Sequence, residues 1–155
     1  MDKVEKLMAH FQSIHYIFDP EMPDGQKGLS VDDYVYLNPR QTSAELTSTV
    51  AEEIAHYLTT SGDITAQDTN EKRKQEQKAR DLGSTLIVTL QDIIDCYKEH
   101  FTNVWECADY LEITRHSFEQ AIKTYKKLYP SGIDYQNYRI IFAADGTIGV
   151  YEFCE

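Results

Sequence analysis

Residues 2–14 place Val4, Leu7, Met8, Phe11 and Ile14 at spacings of three and four, the apolar stripe of an amphipathic helix. The pattern then changes. Pro20, Pro23, Asp24 and Gly25 break the chain, and apolar residues among polar ones predict one strand near residues 15–18 and a second near 34–37. Asn38 and Pro39 stop that strand. Thr42, with Glu45 three residues on, has the form of a capping box and predicts a helix over about 44–58. Gly62 and Asp63 read as its end, residues 63–70 as a polar loop, and the charge-rich 71–80 as a further helix with a solvated face. Helical spacing of Leu86, Leu90, Ile93, Ile94 and Tyr97 predicts a helix over 85–97. Asn103 with Glu106 caps another over 104–111, and 117–128 is again amphipathic. Two short apolar-rich runs, 138–142 and 147–153, flank Asp145-Gly146, the strongest hairpin signal in the chain. The implied fold class is α+β: an N-terminal helix, a small sheet, then a helical C-terminal half closed by a hairpin.

A chain of 155 residues with 41% apolar residues is long enough to bury a core without disulfides or a metal, and no linker or repeat divides it, so residues 1–155 read as a single domain. Fifteen basic residues against 26 acidic ones leave a net charge of −11, which repels phosphate backbones and anionic membranes and argues against direct nucleic-acid binding. Cys96, Cys107 and Cys154 form no C-x-x-C pair and suit a reducing compartment. With neither a leader-like opening nor an apolar run of membrane-spanning length, the expected location is the cytoplasm.

The chemistry centres on residues 46–60, LTSTVAEEIAHYLTT. On a helix Glu52 and His56 stand one turn apart on the same face, with Glu53 displaced by about 100°. Zinc hydrolases use H-E-x-x-H for this reason: the residues at i and i+4 grip the metal and the glutamate after the first ligand takes a proton from the attacking water. Here the pattern is E-E-x-x-H, with the carboxylate of Glu52 in place of the first imidazole. Glu76, twenty residues beyond His56 on the next predicted helix, completes a three-ligand set if the two helices pack antiparallel.

The runs AEEIAHYLTTSGDI, GLSVDDYVYLNP and RKQEQKAR, with the tail WECADYLEITRHSFEQAIKTYKKLY, resemble the ImmA/IrrE-type metallopeptidase family, in particular members carried by phages and mobile elements. The resemblance implies a gluzincin-like fold with a thermolysin-type core, a Zn2+ or other divalent cofactor, and proteolytic inactivation of a helix-turn-helix repressor, which derepresses the element. It also implies roles: Glu53 as the general base, His56 and Glu76 as metal ligands, Ala79 three residues after Glu76 as the pattern has it, and Glu52 in the first-ligand position where fuller members have histidine. Tyr34 and Tyr36 fall where such a fold's edge strand receives an extended substrate, and are candidate substrate-binding residues.

Two other readings stand beside this one. Taken alone, E-E-x-x-H on an amphipathic helix is most often a solvated acidic patch. The altered first ligand also fits a pseudoenzyme that binds a repressor or other protein without cutting it. His10, His15, His100 and His116 have no spacing partner that argues for a metal, and Asp63 is as readily loop chemistry as a partner for His56.

Overall fold

The computed structural model describes residues 2–59 and 69–154, and the chain is α+β. Among the described residues the order is α1 (Lys3–His10), β1 (His15–Phe18), β2 (Gly28–Val31), β3 (Tyr34–Leu37), α2 (Ser43–Thr59), α3 (Thr69–Ile87), α4 (Leu90–Lys98), α5 (Val104–Leu111), α6 (Arg115–Leu128), β4 (Ile133–Tyr135), β5 (Tyr138–Phe142) and β6 (Ile148–Glu152). None of the described helices is long and apolar enough to cross a membrane. The expectations about Gly62 and Asp63 lie outside the described residues.

Two three-stranded sheets form. The first has the order β1-β3-β2, with β1 parallel and β2 antiparallel to the central β3; the second is the antiparallel meander β4-β5-β6. Register in the first sheet pairs His15 with Tyr34 and Leu29 with Tyr36, so alternate residues share a face. Val35 and Leu37 point into the core, where they join Val50, Ala51 and Ile54 of α2. Phe118, Phe142, Leu37, Ile54 and Ile94 are buried almost completely. Each such side chain contributes about 1.5–3 kcal/mol on removal from water.

Local chemistry explains the boundaries. Thr42 Oγ1 accepts from the Glu45 N–H at 3.1 Å and Glu45 Oε1 accepts from the Thr42 N–H at 3.3 Å, the reciprocal pair that starts α2. Gly146, at φ +89°, makes the β5–β6 turn, which Asp145 Oδ1 braces by accepting from the Thr147 N–H and hydroxyl at 3.0 and 2.7 Å.

Several elements differ from the sequence reading. The first helix stops at His10 because Phe11 leaves helical geometry, and Ile14 enters the core from outside it. The strands β2 and β4 were not foreseen. The apolar run over 85–97 is not one helix: α3 continues to Ile87, and Thr89 begins α4 by a capping box with Asp92. The Tyr125 hydroxyl donates to the Val88 carbonyl at 2.7 Å, which satisfies a backbone acceptor left open at that break.

Candidate functional site

The motif helix α2 buries Thr47, Val50, Ala51, Ile54 and Ala55, which turns its flanks toward neighbouring elements. On one flank it meets α3. Glycine at position 83, inside a helix where it costs about 1 kcal/mol relative to alanine, lies at this contact: a Cβ there would lie 3.4 Å from the Ala51 carbonyl oxygen and 3.5 Å from Glu52 Cα, ordinary van der Waals distances. With residue 83 against 51 and 76 against 56, the two helices run antiparallel, as a shared ligand set requires.

His56 is the centre of the cluster. Its Nε2 stands 3.9 Å from Glu52 Oε1, one turn earlier on α2, and 3.8 Å from Glu76 Oε2 on α3. These separations are ion-pair distances rather than hydrogen bonds. The His56 side chain is 21% exposed, whereas Glu52 and Glu76 are 60% and 61% exposed, so the imidazole lies at the bottom and the carboxylates stand at the mouth. Contact with Glu52, outweighing desolvation and helped by the charges of Glu76 and Glu53, holds the imidazole above its ordinary pKa. The same contact holds the Glu52 carboxyl below its ordinary value, with the charge of Arg80 acting in the same sense.

Glu53 occupies a different environment. It is half-buried on the flank facing β2, where Gly28 allows the strand to come close: a Cβ at position 28 would be 3.3 Å from Glu53 Cγ and 2.8 Å from Thr49 Cγ2. Desolvation first, then the charges of Glu52 and Glu76, push its carboxyl above the ordinary range, against the opposing pull of His56. A raised carboxyl pKa is the property a general base uses near neutral pH.

The donor set suits a divalent cation in kind. Around tetrahedral zinc, nitrogen and oxygen ligands at about 2.0–2.1 Å stand about 3.3 Å from one another. The distances of 3.8 and 3.9 Å are about half an ångström wider than that, and the carboxylates of Glu52 and Glu76 are both more than half exposed. As it stands, the described part of the chain has no three His, Cys, Asp or Glu side chains already drawn together into a metal cage.

Tyr34 and Tyr36 are placed differently from the sequence expectation. Their strand β3 is the centre of its sheet, not an edge. The two rings lie on the face turned away from the core residues Val35 and Leu37, stacking on each other at 6.4 Å between centroids and, for Tyr34, on His15 at 4.8 Å. The strand whose side flanks Glu53 is β2, and it is an edge. Sequence reasoning also missed Gly28, Gly83 and Arg80. Gly83 fell between the helices expected over 71–80 and 85–97, where a glycine reads as a break and carries no site signal.

Comparison with known proteins bears on the family and the fold. The family model described as the IrrE N-terminal-like domain, peptidase M78, matches residues 9–123. No curated protein matches the sequence. Among solved structures, a Mycobacterium tuberculosis transcriptional regulator superposes with a TM-score of 0.62 at 12% identity, covering 94% of this chain and 47% of that one, a likeness of fold. The chain therefore spans about half the length of that regulator.

Proposed function

The chain belongs to the IrrE N-terminal-like domain family, peptidase M78, and from that premise we propose that residues 1–155 work as one gluzincin-like metallopeptidase domain that cuts a helix-turn-helix repressor. In this reading Glu52, His56 and Glu76 hold Zn2+ or another divalent ion, and Glu53 is the general base. One observation carries it: an imidazole low in the groove between α2 and α3 has a carboxylate from each helix within 4 Å.

Polarisation of the scissile carbonyl is the chemistry such an ion brings. The rest falls to the protein. Glu53, desolvated against β2, accepts a proton from the attacking water and returns it to the departing amine nitrogen. The exposed edge of β2 beside Glu53 suits pairing with an extended peptide, which gives the substrate its direction across His56. Glu52 in place of histidine brings the ligand set to two negative charges, enough to neutralise a divalent ion, so turnover is slower than with two imidazoles. A helix-turn-helix repressor of a phage or mobile element is the partner the family resemblance implies; the cytoplasm is the corresponding location.

The exposure of Glu52 and the absence of a ready-made cage among the described residues favour one other reading, a pseudoenzyme that grips its repressor without cutting it. Co-expression with the helix-turn-helix repressors of the element that carries the gene separates the two. The peptidase reading expects repressor fragments with the wild-type protein and intact repressor with Glu53→Gln. Equal repressor loss with both proteins overturns it, and co-purification without fragments from either establishes the pseudoenzyme.

A further inference from the structure

A cavity of about 320 Å³ opens beside Glu52, enclosed by α2, α3 and α6. Its floor is formed by the buried Gly83, Ser84 and Ser117, and Glu52, Arg80 and Gln120 stand around its mouth. We propose that this cavity is a subsite for the carboxylate side chain of a peptide lying across His56, with Arg80 as the residue that reads it. The proposal rests on the peptidase reading for the path of that peptide.

Three observations carry it. The first is position. On α2, Ser48, Glu52 and His56 follow one another at i, i+4, i+8, and on the antiparallel α3, Glu76, Arg80 and Ser84 do the same, so the groove presents His56 opposite Glu76 at one end and the cavity from Glu52 and Arg80 onward. One helical turn of about 6 Å separates His56 from the cavity's mouth at Glu52 and Arg80, so that a single side chain reaches Arg80 from a backbone held over His56. The second is charge. Arg40 and Arg139 face carboxylates and Arg115 stacks on Trp105; Arg73 and Arg80 have no carboxylate within 4 Å among the described residues, and of these two only Arg80 lines the cavity. Glu52, the acid that lines the mouth with it, stands 3.9 Å from His56 and also feels the charge of Arg80. A guanidinium so placed at a cavity entrance offers a planar fork of donors to a carboxylate. The third is the lining. Ser48 and Ser117 hydrogen-bond to each other and Thr114 donates to Ser117 at 2.8 Å, which fixes a polar wall. The side-chain amide of Gln120 adds a donor. At this volume, near the lower limit for ligand pockets, the cavity takes one side chain rather than a whole ligand.

The test is binding, which needs no turnover and so succeeds or fails apart from the peptidase reading. The full-length isotope-labelled protein is titrated with the N-acetyl N-methylamides of glutamate, lysine and leucine while backbone amide shifts are followed. The expected result is saturable shifts at Gly83, Ser84, Ser117 and Gln120, with the glutamate probe bound about tenfold more tightly than the lysine probe, the weight of one charge-assisted contact. Arg80→Gln removes that preference and Arg80→Glu inverts it, each with unchanged shift dispersion because the side chain is exposed. Shifts elsewhere on the surface, a lysine preference in the wild type, or a glutamate preference that survives Arg80→Glu overturns the proposal.

Discussion

Replacing Gly28 by alanine tests how the edge strand is held over the motif helix. Gly28 does not need a left-handed backbone, so the cost of a Cβ comes from what it meets. It meets Thr49 Cγ2 at 2.8 Å, Glu53 Cγ at 3.3 Å and the Tyr36 carbonyl oxygen at 3.3 Å. Thr49 is 7% exposed and its hydroxyl donates to Gln41 Oε1 at 2.8 Å or the Glu45 carbonyl at 3.1 Å, so its methyl turns aside only by breaking that bonding. Overpacking costs about 1–3 kcal/mol and a lost hydrogen bond about 1 kcal/mol, which together predict a destabilisation of about 2–4 kcal/mol. At roughly 2–4 °C per kcal/mol for a chain of this length, the melting temperature falls by roughly 5–15 °C. Removing the clashing methyl supplies the decisive comparison: in a double-mutant cycle by urea denaturation, Gly28→Ala with Thr49→Ser is more stable than the two single costs added together. Strict additivity, or a melting temperature for Gly28→Ala equal to that of the wild type, refutes the reasoning.

Gly83→Ala should stabilise the protein by about 0.5–1 kcal/mol, because alanine is the better helix former and its Cβ would make ordinary contact at 3.4–3.6 Å with α2; Gly83→Leu should destabilise it by about 1–3 kcal/mol and weaken zinc binding by parting α3 from α2, both read by denaturation and a competitive zinc titration. Glu53 has a raised folded-state pKa, so its contribution to stability is fully present below the ordinary value of 4.5 and is lost as pH rises through the higher folded value. Metal-free Glu53→Gln should therefore gain melting temperature relative to wild type as pH increases from 4.5 toward neutrality, and a constant difference across that range contradicts the assignment.

How far the fold was legible depends on where each signal resides. α2, α5, the β5–β6 hairpin and the placement of Glu52 with His56 follow from periods and caps carried by neighbouring residues. β2 was hidden because its pattern is inverted: Leu29 and Val31, each 47% exposed, point out, while Gly28 and Ser30 turn inward to admit α2. The break at Val88 was masked by apolar spacing that keeps phase from Leu86 to Tyr97, although Thr89 and Asp92 already spelled the cap. At the site, E-E-x-x-H exposed the α2 half and the distance of Glu76 along the chain gave the other. The difference between a Glu52 governed by its contact with His56 and a Glu53 governed by desolvation is set by tertiary packing, as is the cavity to which α6 contributes Gln120 from far along the sequence.

The central claim is that His56 and Glu76, with Glu52, grip one divalent ion across two helices. The most direct measurement is metal content by mass spectrometry, with zinc affinity by titration, on protein purified without a histidine tag. The account predicts about one zinc-class ion per chain in the wild type, lost in His56→Ala and in Glu76→Ala while both variants keep their helical content. A wild-type chain that takes up no ion from stoichiometric zinc, or variants that hold it as tightly as wild type, contradicts it.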